Sequence, residues 1–305
     1  MDQLAAMRAF IRVVEAGNFT HAANSLRMPK PTVTKLIQSL ETHVRTKLLN
    51  RTTRRVTVTP DGAAYYERAV RLLGEIEDLD GSMAVSQATP KGRLRVDVGT
   101  SLAVLVIIPS LPDFYARYPD IQIDLGVTDR PVDLLGENVD CVIRGGDLTD
   151  QSLIARRIAE MNFVTCASPS YLQRHGHVQH PSELENGHTI VNFFHPRSGR
   201  MLPLDFAANG ERIEIAGRHQ IAVNDSLAYV AAGIAGLGFL QAPMFMLHKH
   251  IEAGRLIRVL PDWTPESMNI YVVYPPNRHL SNKLRVFVDW IADLFATNEL
   301  IQKSA

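Results

Sequence analysis

Residues 28–41 read MPKPTVTKLIQSLE and decide how the N-terminal part of the chain folds. Two prolines one residue apart precede a run with helical apolar spacing. Proline restricts the residue before it and removes a backbone donor, so MPKP ends one helix, and Pro31 suits the first turn of the next. The apolar residues that follow recur at i, i+3, i+4 and i+7 and predict a buried helical stripe: Val33, Leu36, Ile37 and Leu40.

The polar side of this helix carries short hydroxyls and long hydrogen-bond donors, namely Lys30, Thr32, Thr34, Lys35 and Gln38. A helix, a tight turn and a second helix with a donor-rich N-terminal face form the geometry that places a recognition helix in the DNA major groove. We therefore predict that this face contacts DNA.

Two helices are predicted upstream of the turn. The first has an apolar stripe of Leu4, Met7, Ile11 and Val14. It ends at Gly17, which can adopt the left-handed conformation that closes many helices. The second has Thr20 as its expected N-cap, and Thr20 is also counted among the DNA-facing residues. The adjacent Ala22 and Ala23 allow another helix to cross closely.

A basic wing is predicted at residues 48–62, LLNRTTRRVTVTPDG. Val56 and Val58 alternate with threonines, which is typical of a strand with one buried face. The cationic tip consists of Arg51, Arg54 and Arg55, and arginine beside a groove can bind phosphates or enter a narrow minor groove.

The charge distribution supports a polyanionic partner for this region alone. Residues 1–60 contain ten Lys/Arg and three Asp/Glu, a net +7, whereas the whole chain is neutral, so the remaining residues carry −7. A small basic domain on a larger acidic body indicates nucleic acid binding by the N-terminal part.

The run FTHAANSLRMPKPTVTKLIQSLE, followed by LLNRTTRRVTVTPDG, resembles the N-terminal domain of LysR-type transcriptional regulators over roughly residues 2–88. Where the family often has Ser-Arg, this chain has Thr34-Lys35, and lysine lacks the bidentate fork that reads guanine. Phosphate contact by Lys35 is therefore favoured over base readout. The resemblance implies homo-oligomers up to tetramers or larger, and control of a neighbouring, divergently transcribed gene.

A long linker helix is predicted from Pro60 to about Gln87, although Gly81 weakens it. It has a heptad seam made of Tyr65, Ala69, Leu72, Ile76, Leu79 and Met83. Such a seam favours dimerisation with a second helix, and the alternative is that one face docks on the chain itself. Residues 88–92, ATPKG, indicate a hinge.

Beyond the hinge, strand and helix patterns alternate, which predicts a parallel or mixed sheet covered by helices. The strictly alternating IQIDLGV (residues 121–127), a short helix over residues 131–139 and a hairpin turned at Asn209-Gly210 belong to this region. The resemblance implies two Rossmann-like α/β subdomains similar to periplasmic binding proteins. The expected domains are 1–60 (an all-α winged helix-turn-helix), 61–90 (linker helix and hinge) and 91–305 (effector binding). Within the last, subdomain I spans 91–162 and 268–300, and subdomain II spans 163–267.

A cleft between such subdomains binds small molecules at strand ends and helix N-termini. The candidate effector-binding residues at these ends are Thr100, Ser101, Thr128, Arg144, Phe193, His195 and Asn224, with Phe194 beside them. Arg144 and the hydroxyls around Thr100 favour a carboxylate-bearing effector. Two alternatives stay open: the hydroxyl residues and Asn224 serve only as caps or turns, and Arg144 pairs with an acid such as Asp147.

The sequence does not indicate an enzyme or a cofactor. No GxSxG, HExxH or Walker motif occurs, and no carboxylate pair is set apart as acid and base. His175, His177 and His180 lie in a loop without cysteines, so we expect no metal there. Cys141 and Cys166 are expected to be buried and reduced, and with no signal peptide at the start, a cytoplasmic location is expected.

Two functions from different classes fit the sequence. The favoured one is a sequence-specific, effector-modulated DNA-binding regulator that bends promoter DNA. The alternative is a small-molecule-binding module or enzyme whose basic head serves oligomerisation.

Overall fold

The structure is a computed structural model of the 305-residue chain. It describes residues 1–51, 56–83, 89–132, 134, 137, 139–146, 153–196, 198–276 and 281–301, with the backbone alone at 51, 71, 75 and 77–83. The chain forms two compact units, Met1–Ala88 and Thr89–Ala305. Within the described ranges, no helix combines the length and apolar character needed to cross a membrane.

The first unit is a helix-turn-helix followed by a hairpin and a long helix. In chain order its elements are α1 (Gln3–Ala16), α2 (Phe19–Leu26), α3 (Lys30–Val44), β1 (Leu49–Arg51), β2 (Val56–Val58) and α4 (Pro60–Met83). The predicted stripe of α3 is confirmed, because Val33, Ile37 and Leu40 are fully buried and Leu36 is half-buried. Pro31 lies in the first turn of α3, as predicted. Gly17 ends α1 with φ 67°, which is also as predicted.

The start of α2 differs from the prediction. Asn18 is its N-cap: the side-chain oxygen of Asn18 accepts a hydrogen bond from the His21 N–H at 2.7 Å. Thr20 is exposed in the first turn and does not cap the helix. Asparagine is at least as good an N-cap as threonine, so the cap falls at the earlier position.

The buried face of α1 is also rotated from the predicted stripe. Ala6, Phe10 and Val13 are fully buried, whereas Leu4 is exposed. Alanine is small enough to lie on either face of a helix, so the positions of the alanines in α1 do not indicate which face is buried. The two alanines of α2 are buried against this core, as their size allows.

One face of α4 packs on α1 of the same chain. Ala69 and Leu73 are buried and form a cluster with Met7 of α1. Tyr65 and Ile76 add half-buried contacts to this cluster. The chain itself therefore covers part of the predicted heptad seam.

Leu72 does not take part in that cluster. Leu72, which the predicted seam includes, is 42% exposed, while its neighbour Leu73 packs on α1. The side chains of Leu79 and Met83 lie outside the described residues. Helix α4 thus presents at least one large apolar side chain that its own unit does not bury.

The second unit contains a five-stranded mixed sheet. Its strands are β3 (Gly92–Val98), β4 (Ile121–Val127), β5 (Cys141–Gly145), β6 (Ile154–Met161) and β15 (Met268–Tyr274), in the order β4-β3-β5-β15-β6. Strands β3, β4 and β5 are parallel, and β15 is antiparallel to both of its neighbours. Strand β15 thus returns from the C-terminal part of the chain to this first sheet.

Helices cover this sheet. α5 (Thr100–Leu102), a π-helical turn (Ala103–Ile107) and α6 (Ile108–Arg117) follow each other without a break, and α10 (Asn282–Ala296) packs beside them. Phe114 of α6 meets Phe287 and Trp290 of α10 at ring-centroid distances of 5.6 and 5.0 Å. The Trp290 indole N–H donates to the Asp113 carboxylate at 2.9 Å.

The rest of this unit holds smaller sheets. Its strands are β7 (Phe163–Ala167), β8 (Ile190–Phe194), β9 (Met201–Leu202), β10 (Leu204–Ala208), β11 (Glu211–Ile215), β12 (His219–Val223), β13 (Leu240–Pro243) and β14 (Ile257–Arg258). They form the sheets β13-β7-β14 and β12-β8-β9 and the hairpin β10-β11. The helices are α7 (Pro169–His175), a 3-10 helix (Pro181–Glu185), α8 (Ser226–Ile234) and α9 (Met244–Glu252).

The hairpin turn and the two cysteines of this unit are as predicted, whereas one strand and one helix differ from the prediction. The hairpin turn is confirmed, with positive φ at Asn209 and Gly210. Both cysteines are free and buried, as predicted. In β4, Ile121 is buried but Val127 is exposed, because β4 is the edge strand of its sheet. The helix predicted over 131–139 is wrong at the five positions that the structure describes, because residues 131, 132, 134, 137 and 139 are turn or irregular and none is helical.

Candidate DNA-binding and effector-binding sites

The turn between α2 and α3 brings the polar face of α3 to the surface. Arg27 ends α2 in the left-handed conformation, and the Met28 N–H donates to the Ala23 carbonyl at 3.0 Å. Pro29 then precedes the first residue of α3. This compact turn fixes the angle at which α3 leaves the core.

The structure places the predicted DNA-facing residues of α3 together on one side. Lys30, Thr32, Lys35 and Gln38 are exposed. Thr34 is half-buried, and its hydroxyl donates to the Lys30 carbonyl at 3.0 Å. The long side chains of Lys30, Lys35 and Gln38 and the hydroxyl of Thr32 are thus exposed to solvent.

The wing is described only at its base. β1 and β2 pair antiparallel, with Arg51 opposite Val56. Arg54, Arg55 and the side chain of Arg51 lie outside the described residues. The hairpin base nevertheless fixes the position from which these arginines start.

Glu41 orders this hairpin, a role that sequence reasoning missed. It is 5% exposed, and its Oε1 atom accepts hydrogen bonds from the backbone N–H groups of Leu48 and Leu49 at 3.0 and 3.2 Å. Its Oε2 atom lies 3.4 Å from the Lys47 ammonium. The signal in the sequence was an acid near the end of an otherwise basic helix-turn-helix segment.

In the second unit, Thr100 and Ser101 lie at the N-terminus of the helical run that follows β3. The Thr100 N–H donates to Oδ1 of Asp129 at 2.7 Å, and the Ser101 N–H donates to the Ser226 hydroxyl at 3.2 Å. Oδ2 of Asp129 accepts the N–H of Ser226 at 2.6 Å. The start of α8 is thus joined to the start of the helical run after β3.

Arg144 is the last residue but one of β5, and it lies beside Asp129. Its guanidinium donates to the carboxylate of Asp97 on the neighbouring strand β3, and to the Arg130 carbonyl at 3.3 Å. The alternative that Arg144 pairs with an acid thus holds for Asp97, while Asp147 lies outside the described residues. A side chain at Gly99 would touch both Arg144 and Asp129, which shows how tightly these groups converge.

Burial acts against both charges of this pair. It lowers the pKa of Arg144, which the nearby carboxylates of Asp97 and Asp129 partly offset. Burial likewise raises the pKa of Asp97, although the Arg144 charge opposes that shift. A guanidinium stays protonated in proteins, so the pair is an ion pair with a substantial desolvation cost.

The remaining candidates lie around α8 and the strands before it. Thr128 is half-buried, and its hydroxyl accepts the Arg130 N–H at 3.2 Å. Phe193 packs edge-to-face on Tyr229 of α8, with 5.8 Å between ring centroids. Asn224 is exposed, two residues before α8 begins.

His195 stands apart from this group. It is exposed, and its N–H closes a turn onto the Arg200 carbonyl at 2.8 Å. Among the hydrogen bonds, ion pairs and ring contacts of the described residues, none joins it to Thr100 or Arg144.

Two acids at the centre of the group were not predicted. Asp97 is an acid between Val96 and Val98 in the strand RLRVDVG, and Asp129 directly follows Thr128 at a strand end. Either feature was visible in the sequence. What the sequence could not give is their partners, because Asp129 and Ser226 are 97 residues apart.

No group of three or more potential metal ligands occurs in the part of the chain that the structure describes. His180 of the HxHxxH run caps the 3-10 helix through its ring Nδ1 atom, which lies 2.8 Å from the Ser182 hydroxyl. Tyr171 stacks on His175 at 4.5 Å. These contacts give two of the histidines structural partners.

A helix-turn-helix with an exposed polar recognition face, in a chain whose second unit is an α/β domain, defines a DNA-binding regulator with a domain for small molecules. The comparisons agree with this class. Residues 4–63 match the family model "Bacterial regulatory helix-turn-helix protein, lysR family", and residues 87–296 match "LysR substrate binding domain". The chain belongs to the LysR family of transcriptional regulators and is not an enzyme.

Curated relatives and solved structures cover nearly the whole chain. An HTH-type transcriptional repressor of Pseudomonas aeruginosa is 39% identical over 302 residues, which is 99% of this chain and 95% of the relative. YhjC of Escherichia coli, an uncharacterized HTH-type transcriptional regulator, is 40% identical over 295 residues, 96% of this chain and 97% of the relative. The structure of CrgA from Neisseria meningitidis, a LysR-type regulator, is 29% identical with a TM-score of 0.60, covering 95% and 97% of the two chains.

These findings confirm the predicted fold class, a helical winged N-terminus with a C-terminal α/β effector-binding domain. LysR regulators bind promoter DNA and small-molecule effectors and form oligomers. The alternative of an enzyme with a basic oligomerisation head is thereby set aside.

Proposed function

We propose that this regulator binds a site in its own upstream region through α3 and the wing. The supporting observation is that Lys30, Thr32, Lys35 and Gln38 are exposed on the side of α3 opposite its buried stripe. Lys35 has a single ammonium group, so it contacts phosphate and positions the helix. Thr32 and Gln38 are the side chains available for base edges, since the Thr34 hydroxyl is bonded to the backbone.

The wing arginines add sequence-independent affinity in this proposal. Arg51, Arg54 and Arg55 follow directly from the hairpin base and carry three positive charges in five residues. They bind phosphates or enter a narrow minor groove. Thr20, exposed in the first turn of α2, supplies a further backbone contact to DNA.

The test is a fluorescence anisotropy titration of the full chain on its own upstream DNA at several salt concentrations. Lys35→Ala and Arg54→Ala should each weaken binding and together reduce the slope of log K against log salt by about 2, since each phosphate contact contributes about 0.9. Lys249→Ala, an exposed lysine of α9 in the second unit, is the matched control and should leave the slope unchanged. An unchanged slope in the double variant contradicts the assignment.

We infer that a small effector binds in the second unit beside Thr100, Ser101, Thr128 and Arg144. Phe193 provides an apolar wall next to Tyr229, and the exposed Asn224 and His195 are further candidate contacts from subdomain II. The Arg144 charge and the two helix N-termini favour a carboxylate-bearing compound. Effector binding changes the relative placement of the DNA-binding heads and so the bend that they impose on promoter DNA.

A thermal shift screen of carboxylates and matched neutral compounds tests the effector class. Because Arg144 is paired with the buried Asp97, the control is the double variant Asp97→Asn/Arg144→Gln, which removes both charges together. Carboxylates should stabilise the wild type more than the double variant. A shift with neutral compounds alone would contradict the carboxylate class.

We also propose two surfaces for homo-oligomers. On α4, Leu72 is exposed beside the face that packs on α1 and is the contact for dimerisation. On the helical run after β3, Val104, Leu105 and Ile108 are each more than 40% exposed and form an apolar stripe at i, i+1 and i+4. This stripe is the contact for assembly into tetramers.

A further inference from the structure

The carboxylate of Asp129 occupies a position that normally attracts a ligand anion. Its two oxygens accept backbone N–H groups from two different helix starts, Thr100 at 2.7 Å and Ser226 at 2.6 Å. Backbone N–H groups at a helix N-terminus, together with the helix dipole, form a binding position for phosphate or carboxylate. Here the chain supplies the anion itself.

Asp129 is not the N-cap of α8. That role belongs to Asp225, whose carboxylate accepts the Ala228 N–H at 2.8 Å. The cap of the helical run after β3 is Gly99, which has no side chain to offer. Asp129 therefore bridges two elements whose separate starts are more than 120 residues apart in sequence, in addition to the ordinary caps.

Without a ligand, the carboxylates of Asp97 and Asp129 already outnumber the single Arg144 charge. Arg144 already pairs with Asp97, and Asp129 contributes a second carboxylate close enough to interact with the Arg144 charge. The Nη1 atom of Arg144 is buried and makes no hydrogen bond with any described residue, so one donor at this point is unused. A third carboxylate would add a like charge to a partly buried group, which is unfavourable unless Asp129 leaves.

We propose that Asp129 is a resident anion that fills the anion position of the effector site, and that a carboxylate-bearing effector binds by displacing it. This inference rests on the proposed effector site. Asp129 is then a specificity-determining residue, because an effector must compete with an intramolecular carboxylate for the same N–H groups. An anion that makes few other contacts does not displace Asp129. The effector therefore needs further contacts, such as packing on Phe193, to compete for the two N–H groups.

Displacement of Asp129 also gives the effector a route to change the protein. With Asp129 in place, the start of α8 and the start of the run after β3 are joined through one side chain. An effector that takes over both N–H groups frees Asp129 and the segment on which it lies. Differential contact with the two states is what a ligand needs in order to shift a conformational equilibrium.

The experiment measures binding of sodium benzoate and sodium acetate to the full chain by calorimetry, with chloride holding the ionic strength constant. Asp129→Ala should bind both carboxylates at least about tenfold more tightly than the wild type, because two N–H donors lose their internal acceptor. Asp225→Ala is the matched control: it removes an acid and a cap at the same helix but leaves the Asp129 position filled, and its carboxylate affinity should equal that of the wild type.

Asp129→Asn keeps the side-chain volume and covers the case in which Asp129→Ala does not fold. Its amide can accept only one of the two N–H groups, so a rise in carboxylate affinity is expected there as well. The absence of any rise in the folded variants, or an equal rise in Asp225→Ala, overturns the inference.

A last variant separates this inference from the proposed effector site. Asp97→Asn/Arg144→Gln, combined with Asp129→Ala, should lose the gained affinity. If benzoate binding is unaffected by that combination, the probe binds elsewhere, and the proposed effector site is contradicted. If the wild type and Asp129→Ala bind equally and both depend on Arg144, the site stands and only the role of Asp129 is wrong.

Discussion

Gly62 and Leu48 approach each other so closely that the glycine position has no room for a side chain. A β-carbon on Gly62 would overlap the carbonyl oxygen of Leu48, which also accepts the Thr59 N–H at 3.1 Å. The Thr59 hydroxyl in turn accepts the Gly62 N–H at 2.9 Å and donates to the Lys47 carbonyl at 2.7 Å. The TPDG segment thus fixes the start of α4 against the strand that leads into the wing.

We predict that Gly62→Ala lowers the free energy of unfolding of the first unit by about 1–3 kcal/mol, because the backbone must move to admit the methyl group. DNA affinity should fall with it, since the wing base shifts. Chemical denaturation and anisotropy titration of the full chain measure the two effects.

Gly74→Ala is the matched control for that substitution. Gly74 also lies in α4, but nothing surrounds its missing β-carbon within 4 Å. Alanine is the better helix former by about 1 kcal/mol, so this variant should be stabilised. Equal behaviour of the two variants would contradict the steric explanation.

Glu41→Ala should lower the stability of the first unit by about 3 kcal/mol, because two buried N–H groups lose their acceptor at about 1–3 kcal/mol each. Hydrogen exchange at Leu48 and Leu49 in the full chain should accelerate, since Glu41 protects both amides. DNA binding should weaken, because the hairpin base carries the wing.

Glu41→Gln distinguishes the hydrogen bonds from the charge. Glutamine keeps one side-chain oxygen for the two N–H groups but loses the charge that faces the exposed Lys47, a contact worth about 1 kcal/mol or less. A loss in Glu41→Gln as large as that in Glu41→Ala would show that the carboxylate charge, not the acceptor, holds the hairpin.

The two thiols should be unreactive in the folded protein. Burial raises the pKa of Cys166 to about 12 and raises the pKa of Cys141 strongly as well. At pH 8 the thiolate fraction of Cys166 is then roughly a thousandfold below that of an unfolded cysteine with a pKa of about 8.5. Iodoacetamide labelling followed by mass spectrometry should modify the chain only after denaturation.

The same shifts determine a pH dependence of stability. The folded-state pKa values of the thiols lie above the unfolded value, so their contribution is complete below about pH 8.5 and is lost as the pH rises towards the folded-state values. The free energy of unfolding should therefore fall above that pH. A Cys141→Ala/Cys166→Ala variant should show a shallower fall, and an identical pH profile would contradict the assignment.

Leu72→Glu should shift the protein from dimer towards monomer, and Ile108→Glu should shift larger assemblies towards dimer. Each change places a charge on an apolar side chain that its own unit leaves exposed. Sedimentation velocity measures the assembly state. Glu67→Ala, an exposed position elsewhere on α4, should change nothing, and dimers that persist in Leu72→Glu would contradict the proposed contact.

Local signals carried most of the fold from the sequence. The buried stripe of α3, the Gly17 end of α1 and the Asn209-Gly210 turn each depend on residues that are close together in the sequence. Each of these three predictions is confirmed. The N-cap of α2 was predicted wrongly because neighbouring choices are nearly equal in energy: Asn18 and Thr20 both cap well, and Asn18 is the cap.

The candidate sites were predictable in type but not in their internal partners. Thr100 and Arg144 lie near strand ends, and the alternation of strand and helix patterns in the sequence predicts where those ends are. That Thr100 meets Asp129, and Arg144 meets Asp97, depends on which strands lie side by side. Strand order comes from packing over long sequence distances, and no local pattern encodes it.

The π-helical turn Ala103–Ile107 sets the rotation between the two ends of one helical run, and contacts elsewhere fix the direction of each end. At its start, the Thr100 N–H must point at Asp129, and at its end, Phe114 must point into the aromatic core. A π turn inserts one residue relative to a regular helix, and each residue advances the helix by about 100°. Deleting a single residue here would leave both ends helical but out of phase, so the length of this segment, more than its composition, ties the proposed effector site to the core.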